Sequence, residues 1–220
     1  MDEFETDEAA ELPQGSATSV RWTGAASIAL AHQLNEQCIE LLCELATNSP
    51  SQELPQFVLQ NRDQWRLLEV DARKRVATFP FVIVDFRFKD AESWRRAANG
   101  HLMSATDFPL FSGIPPKLFE DLILETLLFA RQTAREDLNV AKTMFAMTSP
   151  VASLMVSLTL PQIRAVAASN TRLLRVRWDN DPEFWGDLLV ASRGSDERAM
   201  AALRRQGKLL FCGELIESHR

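Results

Sequence analysis

Four arginines, Arg164, Arg172, Arg175 and Arg177, fall within fourteen positions, and in an extended segment Arg175 and Arg177 project from one face. Clustered guanidinium groups neutralise phosphate, which is the chemistry of nucleic-acid contact. The competing reading is a solvated face whose cations pair with Asp179 and Asp181 and contribute little energy. Arg204, Arg205 and Lys208 pose the same choice on the last helical stretch, as DNA or partner contacts, with Glu214 and Glu217 diluting their charge. Trp178, Phe184 and Trp185 suggest a second chemistry, the anchoring of a protein partner, although their spacing also suits core packing.

Catalysis has no comparable footing, and the protein is expected not to be an enzyme. The chain offers no nucleophile with a base, no carboxylate pair and no glycine-rich phosphate loop. His32 sits in an amphipathic helical pattern, His101 in a linker and His219 at the terminus, so zinc would lack four converging ligands and no metal or cofactor is expected. Cys38 and Cys43 lie about 140° apart around a helix axis. With Cys212 they are expected to be buried free thiols.

The 220 residues, 46% hydrophobic, suffice for two small domains or one built by duplication. No stretch approaches the roughly 20 apolar residues of a membrane span. The acidic N-terminus is unlike a secretory signal, so a cytoplasmic location is expected. The net charge of −6 is uneven: residues 1–110 hold 10 basic and 17 acidic side chains, and residues 111–220 hold 14 and 13. An acidic chain is a poor stand-alone DNA binder, so a partner is expected to supply positive charge.

Residues 1–20 lack apolar periodicity and read as a disordered acidic tail. From Thr23, an expected N-cap, Ile28, Leu34, Cys38, Leu41, Leu42 and Leu45 recur at helical spacing up to Pro50. Helices are predicted over 55–68 and 70–77, then a strand over 81–88, then a short helix capped by Asp90 and carrying Trp94. Gly100, Pro109, Gly113 and the Pro115-Pro116 pair mark a linker over 101–116. The order then begins again. A long helix from Pro116 is broken near Glu136-Asp137, Ser149-Pro150 starts the next, and Thr159 caps another. A strand over 172–178, a helix capped by Asp179 or Asp181, and a last helix over 195–210 complete the pattern.

A shift of 90 positions superposes the halves. Val76 falls on Val166, Ala77 on Ala167, Arg87 on Arg177, Phe88 on Trp178 and Trp94 on Phe184. The fold class expected is mostly α with one short strand per repeat, in tandem helix-strand-helix modules over 21–100 and 117–220. One strand per copy leaves its backbone groups unpaired, so each is expected to pair with the other about a pseudo-two-fold axis, with Ile83 and Leu173 near the seam. Trp185 falls on Arg95 in this alignment, which marks it as an exposed anchor.

Residues 144–180 resemble the FlhD family, most strongly in the run Leu158 to Gln162, through Ser169-Asn170-Thr171, to Trp178-Asp179. Weaker similarity reaches back to about Leu118 and forward to Leu210. The resemblance implies a helical dimer, here in one polypeptide, that joins a zinc-containing flagellar C-type regulator subunit and recruits RNA polymerase at flagellar promoters. It also implies that the segment carrying Ser192 and Arg193 contacts the partner or DNA. Leu174 replaces the family's cysteine, and Val70-Asp71-Ala72 stands where the second half has Leu160-Pro161-Gln162. A transcriptional regulator acting with a partner is therefore expected. The alternative is an adaptor or antagonist of the same fold without DNA binding.

Overall fold

The computed structural model describes residues 24–101 and 116–217. The expected acidic tail, the Thr23 cap, nearly all of the linker and the side chain of Arg172 lie outside the described residues. In chain order the elements are α1 (Gly24–Asn48), α2 (Gln56–Gln60), α3 (Arg62–Arg66), α4 (Val70–Ala77), β1 (Val84–Asp85), α5 (Ala91–Ala98), α6 (Pro116–Glu136), α7 (Leu138–Phe145), α8 (Ser149–Ser157), α9 (Leu160–Ser169), β2 (Arg175–Val176), α10 (Pro182–Arg193) and α11 (Glu197–Glu217). Among the described residues the protein is mostly helical with one two-stranded sheet.

Local chemistry sets several of these boundaries. Asp137 breaks the long helix because its carboxylate accepts from the N–H of Asn139 and Val140 and so caps α7. Thr159 and Gln162 form a reciprocal capping box at the start of α9. Thr148, rather than the expected Ser149, is the N-cap of α8, so Pro150 occupies the second helical position.

The two predicted strands shrink to a short antiparallel ladder, Val84 with Val176 and Asp85 with Arg175. Their flanks bond elsewhere. Val82 N–H donates to Met144 O at 3.1 Å, Ile83 N–H to Asn35 Oδ1 at 2.8 Å, and residues 171–173 form a 3-10 turn. Arg87 and Trp178 then take left-handed φ values of 53° and 59° and turn each chain out of the ladder. Phe81 and Ile83 are as buried as Val82 and Val84, so both faces of the segment meet the core.

Asn35, fully buried in α1, fastens this region: its amide donates to Ala77 O and Phe81 O and its oxygen accepts from Ile83. α1 packs on α3 and α4, α6 packs on α8 and α9, and α1 and α6 pack on each other. The helices after the strands cross over. α10 lies on α2, α3 and α4, whereas α5 lies on α8 and α9. Burial raises the Cys38 thiol to about 12 and Cys43 to about 11, the neighbouring charges being secondary, and both are inert at neutral pH. Cys212 is exposed, contrary to the expected buried thiol, because it lies on the outer face of α11.

Candidate partner and nucleic-acid interface

The candidate basic residues separate into surface and core. Arg164 on α9, Arg193 in the last turn of α10 and Arg205 on α11 are exposed. Arg175 is partly exposed, and its Nε and Nη2 donate to Asp179 Oδ2 at 2.9 and 2.8 Å, the solvated ion pair that competed with phosphate binding.

Arg177 is not a surface contact. It is 4% exposed, and its fork donates to Val82 O at 2.9 Å, to Phe145 O at 2.8 Å and to the Glu214 carboxylate. Its guanidinium also lies 4.8 Å from the Phe211 ring centre, and Phe211 stacks on Phe81. The backbone explains this inward course: Arg177 N–H donates to Ile83 O, which continues the strand pairing and points the side chain into the body. Ser192 is likewise buried, with its hydroxyl donating to Leu189 O inside α10.

Trp185 is fully buried, which corrects the expectation of an exposed anchor. Its Nε1 donates to Arg177 O at 3.2 Å, just as Trp94 Nε1 donates to Arg87 O at 3.2 Å. Asp90 and Asp181 each cap the helix that follows, and each donates its N–H to the left-handed residue three positions before it. These like features, Arg87 and Trp178, Asp90 and Asp181, and Trp94 and Trp185, lie 91 positions apart rather than the 90 of the sequence alignment that set Trp185 on Arg95. Burial disfavours the Asp90 carboxylate, but hydrogen bonds from Ser93 and the charge of Arg87 outweigh it and hold its pKa below the usual value.

The structure joins three cation-bearing segments that the strand arginines did not indicate. Arg204 Nη2 donates to Arg75 O at 3.3 Å, and Arg75 Nη1 donates to Gly194 O at 2.8 Å, so the end of α4 meets α11 and the α10–α11 turn. Exposed Lys74, Arg193, Arg205 and Lys208 lie on the same three segments. Glu197, 4.0 Å from Arg75, offsets part of this charge. Nε of Arg75 and Nε of Arg204 are buried without a hydrogen-bond partner among the described residues. The signal missed in the sequence was the run Arg73-Lys74-Arg75, whose distance from residue 204 hid its place in the cluster.

His32, half-buried on α1, is held below its usual pKa by burial first and by the charge of Arg204 second. The unfolded chain thus binds a proton that the folded chain resists, and this contribution to stability is lost as pH falls through about 6.5. His32→Gln is expected to lose less melting temperature than the parent between pH 7.5 and 5.5, measured by circular dichroism at about those values.

The described residues form a packed helical body with cations gathered near the α4, α10 and α11 ends. The family model described as flagellar transcriptional activator (FlhD) matches residues 117–210, from α6 into α11. The flagellar transcriptional regulator FlhD of Burkholderia mallei (strain SAVP1) is 31% identical over 97 residues, which is 44% of this chain and 86% of that protein. No solved structure matches the chain at a significant level. The chain belongs to the FlhD family of flagellar transcriptional activators. Among the described residues no single helix is long and apolar enough to cross a membrane.

Proposed function

We propose that this chain is a single-polypeptide counterpart of an FlhD-type dimer, with repeats over 21–100 and 117–220 joined by 101–116, and that it acts with a protein partner at promoters. The observation that carries the reading is the basic surface on the family-matched α10–α11 region, completed by Lys74 and Arg75 from the other half. The partner in this reading is a flagellar C-type regulator subunit, with RNA polymerase recruited by the complex. The duplication is supported by the ladder: a shift of 91 positions exchanges its Val84–Val176 and Asp85–Arg175 pairs, as a two-fold axis between them would. It is also supported by the crossed packing of α5 and α10 and by their matched tryptophan and aspartate bonds.

DNA contact then rests on Arg193, Arg204, Arg205 and Lys208 with Arg75, rather than on the strand face. Arg205→Ala combined with Lys208→Ala is expected to weaken a partner-dependent mobility shift on promoter DNA, and to reduce the salt slope of binding by about 1 for each phosphate that is no longer neutralised. An unchanged slope and affinity would remove this face from the DNA. The second reading, an adaptor or antagonist that binds no promoter, is favoured by the burial of Arg177 and Ser192, which takes two of the six candidate DNA contacts out of reach. In that case the double variant leaves the protein complex intact and no DNA shift is seen with either protein.

A further inference from the structure

α1 and α6 run antiparallel across the surface, joined where Gln37 Nε2 donates to Glu125 Oε2 at 2.9 Å. On one side of this bond a hollow of about 260 Å³ is lined by Leu30, Leu34, Leu128 and Phe129 with Gln33, Gln132 and, next to the bond, Glu125. On the other side a hollow of about 200 Å³ has Leu41 and Leu122 as its floor and Glu40, Glu44, Asp121 and Glu125 as its walls. The two hollows share Glu125 and lie in line along the α1–α6 seam as the two ends of a groove, and their lining residues correspond at a spacing of 88 positions. Leu34 answers Leu122 and Leu41 answers Phe129, but the acidic Glu40, Glu44 and Asp121 are answered by Leu128, Gln132 and Gln33.

We propose that this groove seats a basic amphipathic helix of a protein partner, its apolar stripe running along the leucines and its cationic end lying over Glu40, Glu44 and Asp121. The proposal rests on the reading of the chain as a partner-binding subunit. Charge selects the occupant. The carboxylate walls repel a phosphate backbone, and they repel the N-terminal segment with its six acidic residues. A second copy placed about a two-fold axis through the acidic hollow would set this acidic surface against itself. Arg73 reaches Glu40 at 3.6 Å and offsets only one of the carboxylates. Gln37 Oε1, buried in the acidic hollow without a partner among the described residues, offers a further acceptor to an incoming lysine or arginine. Recognition by an apolar floor and acidic walls is the helix-in-groove mode, and the unequal ends of this groove fix the direction of the bound helix.

The test is fluorescence anisotropy of the full chain with a labelled synthetic helix of about 18 residues that carries leucines on one face and lysines on the other. The parent protein is expected to bind it, more weakly as salt rises. Glu40→Gln, Glu44→Gln and Asp121→Asn together are expected to raise Kd at least about tenfold with the melting temperature unchanged, since all three side chains are exposed. Leu128→Lys is expected to weaken binding from the apolar end. Equal affinity for the triple variant, equal binding of the same peptide with glutamates for lysines, or no binding at all overturns the proposal. Self-association of the parent that the triple variant abolishes also overturns it, in favour of a second copy. Peptide failure with a retained promoter shift removes this proposal alone, and peptide binding with no shift removes the promoter reading alone.

Discussion

Arg177→Met lowers stability by about 3–5 kcal/mol, which for a chain of this length is a fall in melting temperature of about 6–20 °C. The methionine fills much of the volume, so the loss comes from polar groups left without partners. Among the described residues Glu214 would keep only Lys89, at 4.0 Å, as a counter-ion, and Val82 O and Phe145 O would lose charged donors inside the core. Because Glu214 and Phe211 lie on α11, their release would also loosen that helix and the basic residues it carries. Arg177→Lys retains the charge but not the planar fork, and it is expected to recover only part of the loss. Thermal denaturation followed by circular dichroism checks the series. A variant that melts with the parent yet loses DNA would return Arg177 to the surface role read from its alternation with Arg175.

Trp185→Ala is expected to cost about 3–5 kcal/mol, the range for removing a large aromatic side chain from a packed core. Trp185 packs with Trp65 at 5.5 Å and Phe57 at 5.7 Å between ring centres, so the cavity would open between α10 and the helices of the first half. Arg95→Ala, at the position the 90-residue alignment pairs with Trp185, is expected to change stability by no more than about 0.5 kcal/mol. An exposed anchor behaves differently: Trp185→Ala would leave the melting temperature alone and abolish capture of the partner. The two substitutions compared in one denaturation series separate these readings.

The helices were legible because their signals are local. Leucine spacing marked α1, Glu136-Asp137 marked the break after α6, and Thr159 as a cap marked α9, each acting within one or two turns. The strands were overextended because alternation implies one buried face, and residues 81–84 are buried on both. What ended them was long-range: the Asn35 amide and the carbonyl of Met144, neither of which has a signature near residue 82. The burial of Trp185 was hidden because the gapless 90-position alignment sets it on Arg95, whereas the features it shares with Trp94 lie 91 positions apart. The basic surface was half legible. Arg204, Arg205 and Lys208 form a visible cluster, whereas Arg75 joins them only through packing of α4 against the α10–α11 turn.

If this FlhD-family chain has its own pseudo-dimeric body and meets promoter DNA together with a partner, electrophoretic mobility shift on flagellar-type promoter DNA will reveal it at moderate salt, with the chain alone and then with a flagellar C-type subunit. No shift is expected for the chain alone, a shift is expected with the partner, and Arg193→Ala is expected to weaken it. A stable complex by size-exclusion chromatography that shifts no DNA would contradict the promoter reading and leave the adaptor reading in its place.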